Sequence, residues 1–164
     1  MLVASLPSLA LTALVGGRIH QEPEVLTVNE RVVAFVMAHE GKKVGRGECW
    51  DLAAEALNSA GADWDGSYGF GALVAWREDE VLPGDIVQFE NVRVEHRTEN
   101  AIHTERYTKH TAVVVAVHGR GEFTIAHQNV GDRGRKVGRS ELHMRDVRAG
   151  KIMFHRPGRA DVHE

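Results

Sequence analysis

The chain contains one cysteine, Cys49, and ten histidines. One thiol can form neither an internal disulfide nor a thiolate-rich zinc knuckle, so its setting decides its role. Cys49 follows Gly45-Arg46-Gly47-Glu48 and opens a segment with helical apolar spacing. Unpaired N–H groups and the positive end of a helix dipole would then converge on the sulfur. Such a setting lowers a thiol's pKa and raises the reactive thiolate fraction, and the same N–H groups could hold an oxyanion. The competing reading is a small buried hydrophobe on the helix's core stripe. The glycines beside Cys49 favour chemistry, because they let the backbone approach a bound substrate.

A cysteine nucleophile needs a base, and strand register selects one. His118-Gly119-Arg120-Gly121 joins two β-branched runs, Thr111–Val117 and Glu122–Asn129. A turn with Gly119-Arg120 at its centre suits a hairpin that wants glycine first. In that register Ala112 faces His127 and His110 faces Asn129. Opposed residues share a sheet face, so His110, His127 and Asn129 cluster. His110 would take the thiol proton, and a polar neighbour would fix its tautomer. Pairing favours Asn129 as that neighbour, while His127 lies diagonally within reach of an imidazole. His96, His103 and His118 lie in polar edge or turn sequence, and His20, His155 and His163 near the termini; all six read as surface.

The elements that must position these residues follow in order. Thr27-Val28-Asn29-Glu30 fits a capping box, and Val28, Val32, Phe35 and Val36 recur at helical spacing up to Gly41. A second helix runs from Cys49 to about Ala60 and closes at Gly61, with Asp51 in its first turn. Gly61–Leu82 reads as loop and Pro83-Gly84 as a turn. Asp85–Phe89 is a short strand; Val92 and Val94 alternate with charges like a hairpin arm. Lys151–Arg156 is a last strand. The charged, glycine-rich Asp132–Arg139 reads as a solvated loop. Two helices followed by strands without intervening helices give an α+β fold, with N-terminal helices packed on a mostly antiparallel sheet.

Composition agrees with one globular domain: 164 residues, 43% apolar and 26% charged. Twenty basic against 23 acidic residues leave a formal charge of -3, which offers nucleic acid no electrostatic footprint. Residues 1–26 form an N-terminal extension or leader, 27–157 the domain and 158–164 a tail. Met1–Gly17 is apolar, but it lacks the basic start of a signal peptide and is shorter than the ~20 residues a bilayer span needs. Its two readings are a weak export signal and a hydrophobic helix or strand packed on the domain.

These residues resemble the CHAP and NlpC/P60-type cysteine peptidases and amidases, a papain-like group. The matching pieces are Gly45-Arg46-Gly47-Glu48-Cys49-Trp50 opening a helix, Pro83-Gly84-Asp85-Ile86-Val87 entering a strand, His110-Thr111-Ala112-Val113-Val114 starting another, and His127-Gln128-Asn129 ending the next. The resemblance covers roughly residues 28–157. It implies amide-bond hydrolysis through an acyl-enzyme on a peptide or peptidoglycan-like substrate, without a cofactor, using Cys49, His110, His127 and Asn129. CHAP strands commonly end Glu-Gln-Asn, so His127 stands where an orienting glutamate is usual; NlpC/P60 relatives often carry histidine there. The stretch Val92–Lys109 has no counterpart in these motifs.

Three other readings compete. A papain-like domain can lose activity and persist as a binding or scaffold module. His110, His127 and Asp85 could ligate zinc, although their spacing has no zinc-site pattern. Asp63-Trp64-Asp65-Gly66-Ser67 looks like the start of a calcium loop but lacks later ligands, and an Asp-Gly turn explains it more simply.

Overall fold

The computed structural model describes residues 26–159. Apart from Leu26, the expected leader lies outside the described residues, as does the end of the tail. Helix α1 (Val28–Ala38) starts at the expected capping box: Thr27 Oγ1 accepts from Glu30 N at 3.2 Å, and Glu30 Oε2 accepts from Thr27 N at 2.7 Å. Helix α2 (Cys49–Ala60) closes at Gly61, whose φ of 64° is the left-handed conformation glycine adopts without strain.

Two short strands, β1 (Ala62–Asp63) and β2 (Ala72–Val74), interrupt the expected loop. Then come β3 (Ile86–Arg97), β4 (Ile102–Gly119), β5 (Glu122–His127), β6 (Gly138–His143), β7 (Val147–Arg156) and β8 (Gly158–Arg159). Strands β2 to β7 form a six-stranded sheet in the order β2-β7-β3-β4-β5-β6, with every pair antiparallel. Thus the fold is α+β, two helices on an antiparallel sheet. Strand β8, at the start of the expected tail, pairs with β1. Val92–Lys109 extends β3 and β4 into one long hairpin, paired from Ile86↔Val113 to Arg97↔Ile102.

Continuous apolar runs mark strands buried on both faces, and β3 and β4 follow this pattern. Ile86 and Val113 face α1 and α2 in a core with Val32, Val36, Leu52, Leu57 and Phe70. Val87, Phe89, Ala112 and Val114 face a second core with Phe123, Ile125 and Phe154. Alternation breaks at Asn91, whose φ of 52° is left-handed, and Val92 joins Phe89 in the second core. Gly150 must be glycine there: a Cβ would lie 2.3 Å from the Asn91 carbonyl oxygen.

One buried carboxylate knots the domain together. Asp85, fully buried, accepts from Asn29 Nδ2 at 3.0 Å, Leu82 N at 2.9 Å, and Arg156 Nε and Nη2 at 3.1 and 2.9 Å. It therefore joins α1, the turn before β3, and β7. Removing one partner of a buried ion pair leaves the other uncompensated, at a typical cost of 3–5 kcal/mol. Arg156 keeps about a third of its side chain in solvent, so the lower end applies. Asp85→Ala should lower unfolding stability by about 3 kcal/mol in urea titrations; a loss near zero would show that the knot is dispensable.

Candidate active site

The loop before Cys49 is held from within and from below. Asp51 Oδ2 accepts from the backbone N–H groups of Arg46 at 2.8 Å and Glu48 at 3.2 Å, while Oδ1 pairs with the Arg46 guanidinium at 2.9 Å. Gly45, at φ 56°, leaves room for Asp51, whose Cβ would otherwise lie 2.9 Å from a Gly45 Cβ. From below, the buried amide of Gln128 accepts from Val44 N at 3.2 Å and donates to Val44 O at 2.9 Å and Glu48 O at 2.7 Å. Helix α2 therefore begins at a fixed height above the end of β5.

That height puts Cys49 on the wall of a cleft of about 290 Å³ shared with His110, Thr111, Trp50, Tyr68 and Lys109. Lys109 Nζ sits 3.5 Å from the Tyr68 ring centre and joins the two sides of the rim. Thiol and imidazole make no hydrogen bond to each other. Burial pushes the Cys49 thiol pKa up, and the Glu48 charge adds to this. The backbone N–H groups of Thr111, Trp50 and Cys49 itself oppose the rise without overcoming it. This reverses the sequence-based expectation of a lowered thiol pKa: desolvation at the helix start outweighs its N–H groups.

Behind the cleft, His110 Nε2 and His127 Nδ1 are 3.0 Å apart, both rings buried. Tyr107 stacks on His110 with ring centres 4.9 Å apart. His127 Nε2 lies 2.9 Å from Ser140 Oγ and 3.4 Å from Arg133 Nη2. Burial drives both imidazole pKa values well below the ordinary 6.5, and the neighbouring ring and Arg133 push His127 further down. Both rings are therefore neutral at pH 7.

Of the four candidate residues, Cys49 and His110 line the cleft, His127 backs His110, and Asn129 stands apart. Asn129 is exposed, left-handed at φ 62°, and donates Nδ2 to Glu48 Oε2 at 2.8 Å. The β4–β5 turn is Arg120-Gly121 rather than Gly119-Arg120, because the ladder closes at Gly119↔Glu122. Two register shifts, between Val114 and Ala116 and between Val117 and Gly119, return the pairing to Val113↔Ala126. The strand ends therefore meet in the expected register, and the diagonal imidazole makes the contact.

Other readings change as well. Asp132–Arg139 is not a free solvated loop: Arg133 reaches His127 and Ser140, Arg135 bonds Arg46 O and Glu48, and Gly138 begins β6. Ser140 had no distinguishing signal, since a lone Ser becomes informative only through what it touches, and Gln128 stood inside the matching His127-Gln128-Asn129 run without a role assigned to it. His155 is buried edge-on against Phe70 rather than at the surface. Asp85 is engaged by Arg156. Asp65 closes a turn onto Ser67 N and Gly69 N. Among the described residues no group of three His, Cys, Asp or Glu is placed to hold a metal, and no helix is long and apolar enough to cross a membrane.

An α+β fold with a cysteine at a helix start facing a histidine on a strand defines the class, and comparison supplies the family. Residues 25–164 match the model of the AIM3/BBC1 cysteine proteinase-fold domain. The chain belongs to this family. The match carries the resemblance to CHAP and NlpC/P60 domains as far as the shared cysteine proteinase fold. Altered inheritance of mitochondria protein 3 of Debaryomyces hansenii is 28% identical over 149 residues, covering 78% of this chain and 16% of that protein. The chain thus spans about a sixth of the length of that relative. Two crystal structures of Ly7917, one with the hydrolyzing product of MDP, align at 23% identity with TM-scores of 0.46 and 0.48. They cover 79% and 81% of this chain, and 62% and 64% of theirs.

The neutral histidine pair has a consequence for stability. Below about pH 6.5 the unfolded chain binds protons that the folded pair refuses, so stability is full above that pH and is lost as pH falls. Each imidazole contributes a slope of up to about 1.4 kcal/mol per pH unit. Urea midpoints should fall from pH 7 to pH 5, and a His110→Gln/His127→Gln double variant should flatten that fall. Equal slopes in both proteins would contradict the burial of neutral rings.

Proposed function

We propose that this domain is a cysteine-nucleophile hydrolase that cleaves an amide bond through an acyl-enzyme. One observation carries the reading: Cys49, at a helix start, and His110, backed by a second buried imidazole, line one cleft. In the reaction His110 Nδ1 accepts the thiol proton as Sγ attacks the carbonyl carbon. The oxyanion is held by N–H groups at the start of α2. The C–N bond then breaks, and the proton passes from His110 to the departing amine. Water attacks the thioester with His110 again as base, which frees the acid and restores the thiol. His127 orients His110. Asn129 assists indirectly by holding Glu48, next to the nucleophile. The substrate is a peptide or a peptidoglycan-type amide.

A second reading, a binding or scaffold module on the same fold, is favoured by the raised thiol pKa and by the cation beside His127. The relative's name concerns mitochondrial inheritance, a role that either kind of domain could serve.

Assays on peptide amides and on cell-wall fragments separate the two. Turnover by the wild type, abolished in Cys49→Ala, is expected for a hydrolase; no turnover on either substrate favours the module. General-base catalysis is worth roughly 10²–10⁴-fold, so His127→Ala should lower kcat by about 10²-fold, with a smaller effect for Asn129→Ala. The reverse ranking would make Asn129 the orienting residue.

A further inference from the structure

A guanidinium only donates hydrogen bonds, and this fact sets the direction of the whole chain behind Cys49. Arg133 Nη2 donates to Ser140 Oγ at 2.6 Å and lies 3.4 Å from His127 Nε2. Ser140 Oγ is 2.9 Å from that same Nε2. With Arg133 donating from one end, the favoured arrangement has Ser140 donating to His127 Nε2. His127 Nδ1–H then donates to His110 Nε2 across the 3.0 Å contact. The His110 proton is left on Nδ1, the nitrogen with no partner among the described residues. The opposite arrangement would put an N–H on His127 against the cation and leave the Ser140 hydroxyl proton without a partner among them.

We propose that Arg133 is a positioning residue that holds the His110–His127 pair in the Nδ1–H tautomers, so that His110 offers the cleft it shares with Cys49 a donor instead of a lone pair and the base is held off until Arg133 moves. The inference rests on the hydrolase reading for its consequence, though not for its geometry. Reversal is a balanced proton shift. A proton leaves His110 Nδ1 for cleft water, the proton between the rings passes from His127 Nδ1 to His110 Nε2, and one arrives from water at His127 Nε2. His110 Nδ1 is then free to accept from the thiol.

The fold gives Arg133 room to sit there. Gly138, opposite His127 in the β5–β6 ladder, leaves a groove for its side chain; a Cβ at Gly138 would lie 2.8 Å from Nη1 and 2.9 Å from Cδ. Gly138→Ala therefore displaces Arg133 without removing its charge, and it serves as a second probe should Arg133→Met fold poorly.

The test is histidine-ring ¹⁵N NMR on the intact chain near pH 8, which shows directly which nitrogen carries the proton. In the wild type both rings should be protonated on Nδ1. In Arg133→Met and Gly138→Ala the His110 proton should move to Nε2. Protonation of wild-type His110 on Nε2 overturns the inference, and so does a tautomer that neither folded variant changes. Cys49 alkylation by iodoacetamide, measured in parallel, should rise about tenfold in the variants if the freed lone pair lowers the thiol pKa by one unit. A tautomer that shifts while alkylation stays unchanged supports the role of Arg133 and counts against the hydrolase reading alone.

Discussion

The buried amide of Gln128 decides where the chemistry can happen. Its three hydrogen bonds tie Val44 and Glu48 to the end of β5. Because Gln128 directly follows His127, nucleophile loop and histidine strand share one fixed point. Backbone donors and acceptors in a loop packed against a sheet end must find partners, and here one side chain supplies three of them. Asp51 completes the arrangement from the helix side by organising Arg46 and Glu48. The position of Cys49 in the cleft follows from these contacts.

With the cleft fixed, its electrostatics follow from burial. Cys49 and both imidazoles lose hydration, and each is pushed towards its neutral form: the thiol upward, the rings downward. A thiolate–imidazolium pair would need each partner to stabilise the other's charge. The nearest fixed charge behind the rings is instead a cation, Arg133, which opposes an imidazolium. The resting site is thus a neutral thiol beside a neutral, hydrogen-bonded imidazole pair whose direction is set from its far end. This reconciles cysteine proteinase-fold architecture with a thiol that is not activated at rest.

The sheet makes this possible by being buried on both faces. Helix-side residues Ile86 and Val113 and the opposite-side Phe89 and Ala112 come from the same two strands. His110, paired with Phe89 and stacked on Tyr107, therefore sits in an apolar wall as well as at a cleft. Desolvation of the ring is built into the strand pattern.

Local signals were legible in the sequence. The capping box at Thr27, the start of α2 at Cys49, its stop at Gly61, and the apolar runs of β3 and β4 depend on residues a few positions apart, so the α+β class followed. The meeting of His110 and His127 was half legible. The hairpin implied it, yet the turn lies one residue later than its glycine suggested, and only two bulges restored the register. Other features depended wholly on tertiary structure. The start of strand β6 and the role of Arg133 lie in a segment whose charge suggested solvent, because a cation's partners there are residues brought together by the sheet. Asn129 turned to Glu48 because a left-handed residue at the strand end points away from the ladder. The thiol's raised pKa depended on burial, which no neighbour in the sequence encodes. Residue type and spacing could nominate the groups, but distance, desolvation and hydrogen-bond direction were decided only when the sheet closed around them.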